Sequence, residues 1–500
     1  MNSKRLLSLL MFFAVPLLVS CSGHHGGGCT TNCPSSNATV SITLFDSPPA
    51  GLNLLSFTLP IAGISLSPKS GSPVVLPPAV NSIEATRLQT DSALIVDAAT
   101  VAPGTYTLNV TLGPTMATTN AFINATGTPI TYSLNGTSST CTNLQVCYLP
   151  AGAVATISLS NSFTLSSNEK AWIGLNLNLN NAITTSGGLS VDFTQSNVLT
   201  ATTTIRTGLP SGAVDTIEDF VGVVTAYTAG SSITVQNGVS GQKITATLNS
   251  STAYDTPPNG SAYTGCSATA QACLKVGSTV SVDSTLNSSG TLTATEVDLL
   301  DTTAVDEIEG IIYPTSTTNV YGIILADKVS TSGNAVLEAQ STSWGTGIFV
   351  TAGTTNNVFA IDTKTLTSQL TNPSGLGFSG LGDILAGQQV RVQAQNITTT
   401  TSNGTTFITA TAHNVLLRYS RLPGAPSNVG TSGFTFTPPA YVSLLNSTLP
   451  TAPIALTYTG TAYDGVTDTP SIANATTAAI RTLYLNNVNP TFAVAKVRVP

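Results

Sequence analysis

Two short acidic runs hold the residues best suited to chemistry. Asp215, Glu218 and Asp219 lie before one apolar stretch, and Asp301, Asp306, Glu307 and Glu309 lie before another. Paired carboxylates can serve a glycosidase as acid and nucleophile, provided they face each other across a cleft at roughly 5–10 Å. They can also ligate Ca²⁺ through oxygen. The surrounding residues support neither use. No Asp-x-Asp-x-Asp-Gly loop occurs, and Tyr463-Asp464-Gly465-Val466-Thr467-Asp468 is a fragment of one. Both runs sit where a repeated first strand begins, and charge there guards a strand edge against pairing with another chain. The reading is therefore exposed edge or linker charge, with no catalytic residue assigned.

The other chemical candidates are few. Of three histidines, His24 and His25 sit beside Cys29 and Cys33, a set whose donors suit Zn²⁺ or Cu⁺. Its spacing matches no finger, and a glycine-rich surround supplies no outer hydrogen bonds to fix the ligands, so no metal site and no cofactor is assigned. A Ser–His–Asp arrangement would have to use His413, yet no Gly-x-Ser-x-Gly turn presents a nucleophile. His413 reads as a strand residue facing solvent. Trp172 and Trp344 can stack on sugars, although an isolated Trp in a β-protein usually packs in the core. The Asn-x-Ser/Thr sites at Asn109, Asn124, Asn287 and Asn446 are expected by chance in so Asn- and Thr-rich a chain.

The strongest signal concerns location. Lys4 and Arg5 precede an apolar run from Leu6 to Val19, which ends at Leu18-Val19-Ser20-Cys21. The run is too short to span a bilayer, and its flanks fit a lipoprotein signal cleaved before Cys21. Cys21 is thus the expected lipidation site and the contact with the membrane. Ser22, rather than Asp, follows it, which by analogy with enteric sorting points to the outer membrane, periplasmic or surface-facing. The remaining six of seven cysteines form close pairs, Cys29/Cys33, Cys141/Cys147 and Cys266/Cys273, as expected of disulfides in an oxidising compartment.

Composition limits what such a chain can be. Charged residues make up 8%, well below the roughly 25% of ordinary soluble domains. Net charge is −7, and loss of residues 1–20, which carry two cations and no acid, makes it −9. No basic stripe exists, so nucleic acid is excluded as a partner. Ser, Thr and Asn replace the missing charge, and β-branched residues dominate, which predicts strands rather than helices.

Those strands group into units. Residues 1–20 are the signal and 21–37 a flexible Gly/Ser-rich tether. Residues 38–207 alternate apolar and polar in short runs such as Val40–Phe45 and Thr105–Leu112, predicting a β-sandwich. From residue 214 the chain repeats itself. Gly222 and Gly310 lie in matching first strands, and Gly277 and Gly387 precede matching Val-x-Val strands. Val280, Val282, Val390 and Val392 should be buried, and Ser281 and Arg391 should face solvent, because side chains alternate along a strand. Units of this size with glycine bends predict small OB-like barrels at 214–302 and 303–417. A shortened third repeat is expected at 427–500, lacking a glycine-containing first strand. The fold class is all-β, a sandwich followed by two or three tandem barrels, with small contacts between them.

Two family resemblances add to this reading. Leu44-Phe45-Asp46-Ser47-Pro48 and Ala102-Pro103-Gly104-Thr105-Tyr106 resemble the marks of a bacterial family of unknown function found in surface lipoproteins, with Phe45 where that family usually has Thr. Gly222-Val223-Val224 and Leu274-Lys275-Val276-Gly277 resemble a second such family, repeated in tandem and OB-like; Leu385-Ala386-Gly387 is one residue off that pattern. The resemblances imply architecture and location, and no catalytic residue. The expected function is a non-enzymatic, lipid-anchored envelope protein that binds or adheres to a glycan or an envelope protein. The alternatives are a carbohydrate-active envelope enzyme using the acidic runs and a metal-binding surface protein.

Overall fold

A computed structural model gives the structure. It describes residues 36–46, 54–112, 121–124, 130–134, 137–141, 146–148, 155–159, 161–184, 189–193, 195–238, 240–255, 270–300, 306–330, 333–339, 346–352, 358–361, 378–402, 405–439, 442, 453–485 and 491–499. The proposed signal and the tether up to residue 35, with Cys21, Cys29 and Cys33, lie outside these residues, as do Asp301, Trp344 and Asn446. Strands dominate, as the composition predicts. Among the described residues no helix is long and apolar enough to cross a membrane.

The first unit packs two sheets. Ala38–Asp46 pairs in parallel with Lys170–Leu177 and antiparallel with Ala93–Val101, and Leu199–Thr202 completes four strands. Leu54–Pro68 and Gly104–Leu112 form the centre of the second sheet. Ile42 and Leu44 from one sheet meet Ile64, Leu108 and Val110 from the other in a shared core. Each strand's alternation supplies one such face.

Three five-stranded barrels follow. The first uses Ala213–Thr228, Ser232–Gln236, Lys243–Thr247, Thr279–Asn287 and Leu292–Leu299. Its third and fifth strands pair in parallel and its first and fourth pair antiparallel, so the sheet closes in the order one-two-three-five-four. The second repeats this order with Asp306–Tyr313, Val320–Val329, Gly347–Ala352, Gln389–Ser402 and Thr405–Arg418. So does the third, with Ser420–Ser427, Gly433–Thr437, Ile454–Asp464, Ala478–Leu485 and Thr491–Arg498. The third unit is thus a full barrel. Its first strand, Ser420–Ser427, starts seven residues ahead of position 427, between the expected second and third units, and contains Gly424. Proline-rich sequence hid that strand.

The predicted equivalences hold in detail. Gly277 and Gly387 take φ of +95° and +92°, and their N–H groups donate to Val224 and Ile312 at 2.8 Å, each two residues beyond its first-strand glycine. Val280, Val282, Val390 and Val392 are fully buried.

The outer faces differ from expectation. Ser281 and Arg391 do point away from their own barrel cores, yet they are only 2% and 6% exposed. Asp298 of the first barrel reaches Arg391 at 3.9 Å, and the Ser281 hydroxyl lies under Asp219 at 3.4 Å. Leu94 and Trp172 of the sandwich belong to the hydrophobic cluster of the first barrel. Leu483, Leu485 and Ala493 of the third barrel join the core of the second, and Ile324 of the second joins the core of the third. The contacts between units are therefore extensive rather than small.

Candidate functional site

The acidic runs meet at the junction of the four units. Alternation in Asp306–Tyr313 turns Ile308 and Ile312 inward and Glu307 and Glu309 outward. The ladder sets Glu309 directly against Arg391 of the fourth strand. In the first barrel a bulge interrupts the ladder between Ile217 and Phe220. There Asp219 adopts φ of +55°, which re-aims its carboxylate. The carboxylates expected on an exposed edge are buried instead: Asp215, Glu307 and Glu309 are at most 5% exposed. That corrects the linker reading.

Most of these carboxylates meet cations; Asp306 accepts from the Ser330 hydroxyl at 3.4 Å, and Glu307 meets Arg391 of its own barrel at 3.7 Å. Glu309 meets Arg87 at 2.9 Å, Arg391 at 3.1 Å and Arg418 at 3.6 Å. Asp219 meets Arg421, Arg418 at 3.5 Å and Arg87 at 3.7 Å. Asp215 and Asp464 share Arg206 at 2.5 and 2.6 Å, and Asp464 also takes Arg498 at 2.8 Å. Glu218 pairs with Lys496 at 2.7 Å, and Asp283 with Arg481 at 3.4 Å. These eight cations are half of the chain's 16 Lys and Arg residues. A chain this poor in charge has gathered it at one internal junction, where an unpaired ion would be costly.

The pKa shifts follow from these partners. Burial alone would push the Glu309 carboxyl up, but the Arg418, Arg87 and Arg391 guanidiniums outweigh it and bring it down to about 2. Asp219 is likewise driven down against burial by Arg421, Arg87 and Arg418. Asp283 has weaker compensation: burial pushes it up to about 7 despite Arg481. Glu309, lowered from its ordinary 4.5, contributes stability that is present above pH 4.5 and is lost as pH falls toward 2. Asp283 works in the opposite direction, its ionised form costing stability as pH rises toward 7. In Glu309→Gln the acid-induced loss of melting temperature between about pH 4.5 and 2 should shrink relative to wild type. An unchanged acid limb would refute the assignment.

Two cavities flank the junction. One of about 510 Å³ lies between the sandwich and the first two barrels, lined in part by Arg87, Asp91, Asp219, Phe220 and Asp327. One of about 200 Å³ lies between the first and third barrels, beside Glu218, Asp283, Arg481 and Lys496. Elsewhere, carboxylate oxygens of Asp255, Glu296 and Asp298 come within 4.8 Å of one another, a grouping the sequence did not suggest. Parallel pairing brings Asp255 beside Asp298, but Arg418 already meets Asp298 at 3.2 Å.

The remaining candidates are placed individually. His413 is half-buried rather than solvent-facing, and its Nε2 is buried without a hydrogen-bond partner among the described residues. Trp172 lies in the core and donates its indole N–H to the Thr43 hydroxyl at 3.0 Å. The Asn109 amide is engaged by Ser67 and Ser158, and Asn287 accepts from the N–H groups of Ser289 and Thr291 within a turn. Cys141 and Cys147 end and occupy strands of different sheets, Thr137–Cys141 and Val146–Tyr148. Their side chains, and that of Asn124, lie outside the description. Cys273, in the short helix Ala270–Cys273, is disulfide-bonded, while Cys266 lies outside the described residues.

A family model described as Domain of unknown function (DUF5666) matches residues 221–298, which run from the first strand of the first barrel to its fifth. No curated protein matches the chain.

Proposed function

We propose that this chain is a non-enzymatic lipoprotein of the cell envelope, held in the outer membrane through lipid on Cys21, whose β-domains form a binding or adhesion module for a glycan or an envelope protein. One observation carries the non-enzymatic reading. Asp215, Glu218, Asp219 and Glu309, four of the carboxylates that sequence alone offers to acid–base chemistry, are committed to buried ion pairs between units, which supports a role for their charge in holding the units together.

The outer strand faces that remain are rich in hydroxyl groups and carry little charge, Lys243 beside Thr245 being one exception. Thr105 pairs with Thr164, Thr111 with Thr156, Thr234 with Thr245 and Thr401 with Thr406, side chain to side chain across exposed ladders. Such faces offer mostly uncharged donors and acceptors, which favours neutral polyhydroxylated ligands. The test is capture by the mature chain on a glycan array and from solubilised envelope, with hydrolysis of the arrayed glycans followed in parallel. Selective capture without turnover supports the proposal; turnover, or no capture of either class, overturns it.

The anchor has its own expected outcome. Cys21→Ala should release the protein from the membrane fraction or leave an uncleaved precursor. A processed variant that still sediments with membranes would place the anchor elsewhere.

A further inference from the structure

The 510 Å³ cavity falls within the range of roughly 300–1,000 Å³ typical of small-molecule sites, and it lies at a domain interface, where such sites concentrate. Its lining carries more acid than base. Glu84, Asp91, Glu218, Asp219 and Asp327 face two cations, Arg87 and Lys328. Most of these charges are already engaged. Asp91 and Asp219 hold Arg421, Glu218 holds Lys496, and Arg87 serves Glu309 and Asp219. The Lys328 ammonium donates to the backbone carbonyls of Leu337 and Ala339.

Asp327 is different. Its carboxylate accepts from the backbone N–H of Lys328 at 2.7 Å. No cation stands within ion-pair distance of it among the described residues. Burial is what chiefly disfavours its charge; the Arg87 guanidinium offsets part of that, and Glu309, directly opposite on the ladder, opposes it by less. A residue that costs stability where it stands, on the wall of a cavity, is a mark of a site kept for binding.

We propose that this cavity binds a compact organic cation, with the Asp327 carboxylate as counter-charge to the ligand's ammonium group. Ile83, Leu94 and Phe220 supply apolar wall for the ligand's carbon skeleton, and Asn81 and Asn237 supply neutral polar contacts. Arg87, paired with Glu309 and Asp219 and close enough to favour the charge of Asp327 without pairing with it, disfavours a second cation deeper in, so one ammonium group beside Asp327 is the fitted charge. The proposal goes beyond the envelope reading and does not depend on which glycan or protein the outer faces recognise.

The mature full-length chain, kept in detergent micelles, would be titrated calorimetrically with glucosamine, putrescine and spermidine, and with glucose as the uncharged control. At least one amine should bind and glucose should not. Asp327→Asn should weaken that binding about tenfold or more, while raising the melting temperature of the ligand-free protein, because it removes a carboxylate whose ionised form burial disfavours more than Arg87 favours it. Opposite signs on binding and stability are the expected signature. Failure of all three amines to bind, equal binding by the variant, equal binding of glucose, or a lower melting temperature in the variant would each overturn the proposal.

Discussion

Arg498→Met should uncouple the sandwich from the third barrel and cost roughly 3–5 kcal/mol, the usual loss when one partner of a buried ion pair is removed. Arg498 is 1% exposed, the most buried cation of the junction. Its Nε donates to Asp464 at 2.8 Å. Its Nη1 donates to the carbonyls of Leu88 and Asp91, both at 2.8 Å, and its Nη2 to the Ser92 hydroxyl at 3.0 Å. Methionine keeps the apolar stem but leaves two buried carbonyls without this donor. Domains typically have only about 5–15 kcal/mol of stability, so the loss is large. Calorimetry of the mature chain should show one cooperative transition for wild type. In the variant that transition should split, with the segment around Leu88–Ser92 becoming sensitive to protease first. A variant that melts as one unit at the wild-type temperature would mean that the junction does not couple the domains.

That coupling was invisible in the sequence for a physical reason. Alternation told which residues enter a barrel's own core, and it did so correctly for Val280, Val282, Val390 and Val392. It could not tell whether the opposite face meets water or another domain. Ser281 and Arg391 therefore read as exposed, although Arg391 lies against Glu309 under a neighbouring domain. The partners that bury these faces are far away in the chain: Arg498 bonds to Leu88 across 410 positions, and Arg421 to Asp91 across 330. Local patterns carry no trace of such pairs. One clue was available. With charge this scarce, the recurrence of acids at both barrel starts signalled a use for them, and the lone Arg residues on the outer faces of late strands were their complement. Asp219 had no such clue, since its orientation depends on a bulge. Asp327 was also missed, because a single acid in a strand carries no pattern of its own.

The third barrel shows the converse, a signal present but obscured, and it yields the other large expected effect. Gly222, Gly310 and Gly424 occupy one position in three barrels. A Cβ placed there would lie 2.3, 2.1 and 2.2 Å from the carbonyl oxygens of Gln236, Ile324 and Thr437 in the adjoining second strand. Each first strand approaches its neighbour so closely that only hydrogen fits. At Gly424 the Phe436 ring adds a contact at 2.6 Å. The flanking Leu422-Pro423-Gly424-Ala425-Pro426 reads as a linker because proline rarely enters a strand, yet Pro423 pairs with Ala479 and Pro426 with Phe436. Gly424→Val should therefore force the first and second strands apart. The atoms in the way belong largely to backbone, which cannot rotate aside, so the loss should reach or exceed the roughly 1–3 kcal/mol of ordinary overpacking. Because Ile324 of the second barrel packs into the third barrel's core, the damage should spread to the second barrel. Gly63→Ala is the matched control, since a Cβ there meets nothing within 4 Å, and it should change stability by less than about 0.5 kcal/mol. Thermal melts followed by circular dichroism separate the two cases. If Gly424→Val melts with the control, the first strand does not close the third barrel, and the equivalence of the three repeats fails with it.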